Sequence, residues 1–109
     1  MNISDRQDYI SKIFKDVHKN IFDQIKMFED KSKIQDDVWH KKELGNGNSV
    51  VIDDGNFFDK AGINFSSISG KSLPESSVGN KSKSMGLPFF ATGVSVVFHP
   101  KNPYIPTAH

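Results

Sequence analysis

The sequence has no cysteine among its 109 residues, so disulfides, thiolate metal sites and cysteine nucleophiles are excluded. Long apolar runs are also missing, because no segment approaches the roughly 18 apolar residues of a membrane-spanning helix. The segment from Met1 to Arg6 is polar and mixed in charge, unlike a secretory signal. These absences predict a soluble protein without a membrane span, working in a reducing compartment, the cytoplasm.

An excess of charge of one sign is likewise missing. The sequence carries 14 basic and 13 acidic residues, whereas a general binder of nucleic acid or of a membrane surface gathers basic residues on one face. We therefore expect no nucleic-acid partner. Arg6 is the only arginine, and bidentate recognition of carboxylate or phosphate depends on arginine forks. The sequence is thus poorly equipped to bind an anion by itself.

The clearest pattern that is present covers residues 4 to about 34. Ser4 and Gln7 fit a capping box at a helix N-terminus. Apolar residues then recur at helical spacing and predict one stripe that packs on the rest of the fold. The stripe consists of Ile10, Ile13, Phe14, Val17, Ile21, Ile25 and Phe28. We therefore predict one long helix over about 4–34.

Short β-branched runs from about residue 38 onward, to residue 109, indicate strands. We predict these strands at 38–44, 49–53, 63–68 and 89–98. The stretch GNGN, from Gly45 to Asn48, indicates a hairpin turn, and Asp54-Gly55 indicates a second turn. Residues 70–88 are rich in Ser, Lys and Gly and lack periodicity, which is typical of a flexible loop or of plain surface.

Together these elements predict a single α+β domain, in which a long N-terminal helix packs on an antiparallel β-sheet. One helix can cover only one face of such a sheet. We therefore expect the opposite face to be exposed unless more chain or a partner covers it.

Side chains that could take part in binding or catalysis lie near the end of the last predicted strand. Because side chains alternate along a strand, Ser95 and His99 share one face, about 13 Å apart at about 3.3 Å per residue. That distance excludes a direct Ser–His hydrogen bond and suits two groups that contact different parts of one large ligand. Three prolines then stiffen residues 100–106. If the chain reverses there, His109 returns beside His99.

These two histidines leave two interpretations open. In the functional interpretation, His99 and His109 face one metal ion or one substrate atom. Two histidines alone are weak evidence for zinc, because zinc sites use three or four protein ligands. Two solvated histidines at a loop are the alternative. His18 and His40, by contrast, are typical of ordinary surface or boundary residues.

Two ordered segments resemble one family. "GNGNSVVIDDGNFFDKAGINFSSISG" is similar to the glycine-rich segment of the oxygen-dependent coproporphyrinogen III oxidases. "LPFFATGVSVVFHPKNPYIPTAH" is similar to their block of a serine, an HPxNP motif and a following histidine. Trp39, ahead of the glycines, also fits the pattern. The resemblance covers about residues 36–109 and concerns the N-terminal part of the family.

The resemblance implies roles for three residues. Ser95 matches a substrate-contacting serine, His99 and His109 match histidines assigned to a divalent metal such as manganese, and His109 also matches the proposed catalytic proton donor. The implied reaction converts two propionates of coproporphyrinogen III to the vinyl groups of protoporphyrinogen IX by oxidative decarboxylation, in haem and porphyrin biosynthesis. Molecular oxygen is the implied co-substrate, without flavin or haem. The implied enzyme is a homodimer with a large antiparallel sheet flanked by helices.

The sequence departs from the family pattern in its glycine segment, at its end, and at Val50, where many bacterial members have arginine. Asn46 and Asn48 stand where glycine is common, and the sequence stops at His109, before the later pocket residues of the family. We therefore expect an N-terminal portion of the oxidase that is inactive alone. Two alternatives stay open: a non-catalytic module that binds tetrapyrroles, and a truncated module that self-associates to cover its open face.

Overall fold

The computed structural model describes residues 2–71 and 87–109, which form one α-helix and four strands. The helix α1 spans Ile3–Ile25, and two short 3-10 turns follow it at Lys26–Phe28 and Lys31–Lys33. The strands are β1 (Ile34–Lys41), β2 (Gly45–Asp53), β3 (Phe58–Gly70) and β4 (Phe89–Pro100). The α+β class is therefore confirmed, whereas most of the predicted loop at 70–88 lies outside the described residues.

Helix α1 begins and ends earlier than its apolar pattern predicts. Asn2, rather than Ser4, caps the N-terminus, because its side-chain oxygen accepts a hydrogen bond from the Asp5 N–H at 2.8 Å. The predicted extension to residue 34 is wrong. Asp30 has an extended backbone, and its carboxylate accepts a hydrogen bond from the Ser32 N–H at 3.2 Å. Such local side-chain bonding competes with a continuous helix.

The four strands form one antiparallel sheet in the order β1-β2-β3-β4, so each strand lies beside the next one in the chain. The predicted hairpin turn at GNGN is wrong, because residues 45–48 lie within β2 and residues 42–44 make the turn. Glu43 adopts a positive φ of 66° there. Gly47 instead serves close packing, since a Cβ on it would overlap the indole of Trp39.

Helix α1 lies across one face of the sheet, over β3 and β4. We call this the covered face. Its buried apolar side chains come mainly from β2 and β3, where every second residue points toward the helix side. They are Val50, Ile52, Phe58, Ala61, Ile63 and Phe65. Burying such a side chain contributes about 1.5–3 kcal/mol, so this layer is the main source of stability.

The side of α1 that meets the sheet is rotated from the predicted one. Several members of the predicted apolar stripe are exposed, namely Ile10, Ile13, Val17 and Phe28. Polar groups take their place: the hydroxyl oxygens of Ser11 and Ser67 lie 2.7 Å apart, and His18 is buried. The predicted docking of the apolar stripe is therefore met only in part, by the half-buried Phe14, Ile21 and Ile25. Among the described residues, no helix is long and apolar enough to cross a membrane.

The opposite side of the sheet, which we call the open face, carries no helix among residues 2–71 and 87–109. It displays the alternate residues of each strand. Val51 and Val97 on this face are 43% and 37% exposed. The expectation that one helix covers only one face is therefore met within the described part of the chain.

Candidate functional site

Strand β4 displays Ser95 and His99 on the open face. Ser95 is exposed and His99 is half-buried. In the antiparallel register Ser95 pairs with Asn64 of β3, and His99 pairs with Lys60. Four residues of strand separate Ser95 from His99, which corresponds to about 13 Å.

The segment after β4 turns back toward that strand. The Asn102 side-chain oxygen accepts a hydrogen bond from the Tyr104 N–H at 2.9 Å, and its backbone carbonyl accepts one from the Ile105 N–H at 3.1 Å. Phe98 and Ala108 then exchange two backbone hydrogen bonds of 2.8 and 3.0 Å in an antiparallel bridge. The chain reversal that the sequence leaves as a condition is therefore present.

This return brings His109 next to His99. Their ring centroids lie 5.4 Å apart, with the ring planes at 67°. Continued by one residue, the register of the bridge sets His109 opposite Val97, on the open face. Ser95, His99 and His109 thus share one surface, and the two histidines lie close together, as expected if the chain reverses after β4.

The histidine pair fits part of a metal site. Two imidazoles bound tetrahedrally to one ion at about 2.0–2.1 Å have ring centres about 5 Å apart, which is close to the observed 5.4 Å. Within residues 2–71 and 87–109, however, no group of three or more His, Cys, Asp or Glu side chains could hold a metal ion. Among these residues, the surface thus offers two imidazoles and no third candidate ligand beside them.

An ion pair fastens the returning segment to the turn between β2 and β3. Lys101 Nζ lies 2.8 Å from Asp54 Oδ1, and the Lys101 N–H donates to the Phe57 carbonyl at 3.0 Å. The hydrogen bond from Lys101 and its positive charge hold the pKa of Asp54 below its ordinary value. The same hydrogen bond raises the pKa of Lys101. Both groups are therefore charged at neutral pH, and the segment that leads to His109 is tied at its start.

Glu29 fixes the same turn from the helix side. Its carboxylate accepts hydrogen bonds from the backbone N–H groups of Phe57 and Phe58 at 2.8 and 2.9 Å, and also from that of Asn56. Charge-assisted hydrogen bonds of this kind are stronger than neutral ones. The turn on which Lys101 rests is therefore held at two points.

Between Ser95 and His99, a glycine separates two aliphatic side chains on the open face. Gly62 of β3 lies between Val97 of β4 and Val51 of β2 in the register. Nothing lies within 4 Å of the position that a Gly62 Cβ would occupy. We call this row of a small residue between two aliphatic ones the floor; polar residues lie at either end of it along β4.

Two further polar residues of this surface, Lys60 and Asn64, received no role from the sequence. Asn64 faces Ser95 and Lys60 faces His99. The alternation along β3 indicates that both share a face, but only the strand register shows what they oppose. A β-bulge between Phe58 and Lys60 shifts that register, and no local sequence signal predicts it.

His18 is not the surface or boundary residue that the sequence predicts. It is 3% exposed, and its ring lies 6.4 Å from that of Phe65. His18 Nε2 lies 2.9 Å from the Ile63 carbonyl oxygen. Because a carbonyl only accepts, Nε2 carries the hydrogen and donates. His18 therefore belongs to the covered face, whereas His40 is exposed, as predicted.

Comparisons with known proteins agree with the sequence resemblance. The family model described as coproporphyrinogen III oxidase matches residues 9–109. A protein named oxygen-dependent coproporphyrinogen-III oxidase from Prochlorococcus marinus strain MIT 9515 is 42% identical over 90 residues, which cover 83% of this chain and 26% of that protein. The protein of the same name from strain AS9601 is 47% identical over 79 residues, which cover 72% of this chain and 23% of that protein. The chain therefore spans about a quarter of the length of these curated relatives.

Proposed function

Since the chain belongs to the coproporphyrinogen III oxidase family, we propose that its open face holds coproporphyrinogen III for oxygen-dependent oxidative decarboxylation. The observation that carries the proposal is the grouping of Ser95, His99 and His109 on one surface. The relatives with matching segments are named oxygen-dependent coproporphyrinogen-III oxidases. Both lines support the same substrate class.

A porphyrinogen has the size and polarity to span this surface. Ser95 marks one polar end and His99 the other, about 13 Å away along β4. The apolar ring would lie over Val97 and Gly62, with its acid side chains reaching the polar ends. The Ser95 hydroxyl would donate a hydrogen bond to a carboxylate, which would orient the macrocycle relative to the histidines.

His109 is the proposed proton donor. Imidazole changes charge near neutral pH and is the side chain most often used in general acid–base catalysis. The register of the Phe98–Ala108 bridge sets His109 opposite Val97. Along β4, this position lies between Ser95 and His99. From there its imidazole faces the middle of a ligand on the floor and can move a proton to or from a pyrrole nitrogen or reduced oxygen.

The proposed reaction uses molecular oxygen as co-substrate. Each reacting side chain R–CH2–CH2–COOH and one O2 give R–CH=CH2, CO2 and H2O2. A C–H bond and the bond to the carboxyl carbon break, and the two electrons reduce O2. Two protons complete the peroxide. The proposal includes neither flavin nor haem.

A divalent metal such as manganese, held by His99 and His109, would stabilise negative charge beside the substrate. We also propose that the protein acts as a homodimer in the cytoplasm, as the resemblance implies. The exposed apolar side chains of Ile10, Ile13 and Val17 on α1 support association, because exposed apolar patches often mark interaction sites.

Tetrapyrrole binding without turnover is the second candidate function. The only arginine, Arg6, lies on α1, and within residues 2–71 and 87–109 the strands place few cations on the open face. Four substrate carboxylates call for charge-assisted hydrogen bonds at several points. This observation favours a result in which the 109-residue chain binds the ligand and does not decarboxylate it alone.

Binding and turnover measured on the same preparation separate the two candidates. Binding is followed by fluorescence titration with coproporphyrin III, the stable oxidised form of the substrate. Turnover is followed as vinyl product and hydrogen peroxide from coproporphyrinogen III in air. We expect Ser95→Ala and His99→Ala each to weaken binding about fivefold. His40→Ala, which removes an exposed histidine of the covered face, is the matched control and should leave binding unchanged.

Turnover that requires oxygen and falls at least about 100-fold in His109→Ala would establish the first candidate. Binding that depends on Ser95 and His99, without turnover, would establish the second. Absence of binding would overturn both, and so would equal binding by the wild type and the Ser95→Ala/His99→Ala double variant.

A further inference from the structure

We propose that Lys60 binds a carboxylate of the tetrapyrrole at the histidine end of the open face. The inference rests on the proposed function and adds a binding residue to it. Lys60 of β3 lies directly opposite His99 of β4. Facing residues of an antiparallel pair have Cα atoms about 4.5–5.5 Å apart, so the lysine and the imidazole extend from neighbouring points of one surface.

The Lys60–His99 pair lies where the sheet changes shape. β3 and β4 pair regularly up to these two residues, and there the register shifts so that Phe58 pairs with Pro100. Asp59 is the extra residue of the bulge. Bulges increase the local twist and are frequent next to active sites. The Lys60–His99 pair is therefore the last regular pair of β3 and β4 on the open face, and it lies at the end of the floor.

The Lys60 side chain is exposed and free of carboxylate partners within the described part of the chain. The ion pairs found there involve other lysines, namely Lys12–Asp16, Lys19–Asp23, Lys26–Asp23 and Lys101–Asp54. Asp53 is opposite Lys60 on β2, yet no ion pair joins them. The ammonium group is thus available to a ligand.

Charge complementarity selects a carboxylate as the occupant. Lys60 is the fixed cation beside His99. Its ammonium group has three N–H donors, which suit a carboxylate oxygen. Lys41 is on the same face but at the opposite corner, on the edge strand β1. A carboxylate bound at Lys60 would hold one acid side chain of the macrocycle beside the imidazoles, whereas one bound at Lys41 would not.

The test compares two ligands that share a ring and differ in charge: coproporphyrin III, a tetracarboxylate, and its tetramethyl ester. Lys60→Gln should weaken the binding of coproporphyrin III about fivefold and leave ester binding unchanged. Lys60→Arg keeps the positive charge and should bind coproporphyrin III within about twofold of the wild type. Lys41→Gln is the matched control on the same face and should alter neither affinity.

Added salt should reduce the difference between wild type and Lys60→Gln, because it screens exposed charges. Thermal unfolding of Lys60→Gln should match the wild type, since Lys60 has no ion pair among residues 2–71 and 87–109. A change in affinity would then report on the ligand and not on the fold.

Three results would overturn the inference. Equal affinity of Lys60→Gln and wild type for coproporphyrin III would remove Lys60 while leaving the proposed function intact, if His99→Ala still weakens binding. An equal loss for acid and ester would show a damaged surface rather than a lost charge contact. Absence of wild-type binding would overturn the proposed function first, and the role of Lys60 with it.

Discussion

On the covered face of the sheet, Val50, Ile52 and Ile63 are 0% exposed, whereas Val51 and Val97 on the open face are 43% and 37% exposed. Strand β2 alone supplies members of both sets, Val50 and Ile52 to one face and Val51 to the other, because successive residues point to opposite faces. One face is packed with aliphatic side chains, and the other combines the floor with hydroxyl, imidazole and ammonium groups. Stability and ligand chemistry are therefore separable here, residue by residue along one strand.

The histidines show the same division. His18 is 3% exposed and donates to the Ile63 carbonyl within the covered face. His99 and His109 lie 5.4 Å apart on the open face. The same side chain thus packs within the fold in one place and lies on the open face in the other. Burial, and not residue type, distinguishes the two.

Shortening one aliphatic side chain on each face should give the largest contrast. Ile63→Ala removes a completely buried side chain and should lower the free energy of unfolding by about 2–5 kcal/mol. Val97→Ala removes an exposed side chain and should change it by no more than about 0.5 kcal/mol. Denaturant unfolding measures both values. Equal losses would show that the open face is packed in solution, which would contradict the division.

Removing one histidine from each face should give the second contrast. His18→Ala leaves the Ile63 carbonyl without its partner and should lower the free energy of unfolding by about 1–3 kcal/mol. His99→Ala should remain within about 0.5 kcal/mol of the wild type. Thermal or chemical unfolding of the two variants provides the measurement. A larger loss for His99→Ala than for His18→Ala would reverse the assignment of structural and ligand-facing histidines.

Adding one methyl group to the floor should give the smallest effect on stability, with the opposite sign. Gly62→Ala should raise the free energy of unfolding by about 0.4–1 kcal/mol, because alanine restricts the unfolded chain and no atom lies within 4 Å of the new Cβ. The same methyl group would stand on the floor and should weaken coproporphyrin III binding. Parallel unfolding and titration experiments measure both changes.

Gly47→Ala is the matched control for that substitution. Its Cβ would overlap the Trp39 indole, so it should destabilise the fold by about 1–3 kcal/mol. If Gly62→Ala destabilised the fold as much as Gly47→Ala, the floor would not be open. Unchanged ligand binding by Gly62→Ala would show that the ring does not lie there.

The parts of the site that could be predicted from the sequence depend on local patterns. Alternation in residues 89–98 indicates a strand, and that strand sets Ser95 and His99 on one face. The prolines of residues 100–106 indicate a stiff, irregular loop, and a reversal of the chain within it brings His109 back to His99. The roles of these three residues stay predictions, because proximity alone does not establish proton transfer or metal binding.

The parts that could not be predicted depend on contacts between distant residues. The rotation of α1 follows from polar contacts such as Ser11 with Ser67, which are 56 residues apart. The burial of His18 depends on a carbonyl 45 residues away. GNGN looks like a turn by composition, but Gly47 is needed beneath Trp39 on the neighbouring strand. Periodicity within one segment carries no information about such partners.

The packing of Trp39 over Gly47 has an optical consequence. Trp39 is the only tryptophan, and its indole lies on the open face, where Gly47 of β2 separates it from β3 in the register. Porphyrins absorb strongly in the near-ultraviolet band where indole emits. A porphyrin bound to this face would therefore quench the fluorescence of Trp39 by energy transfer. Trp39 is thus an intrinsic fluorescent probe on the surface where the ligand is expected, and no second tryptophan contributes to the signal.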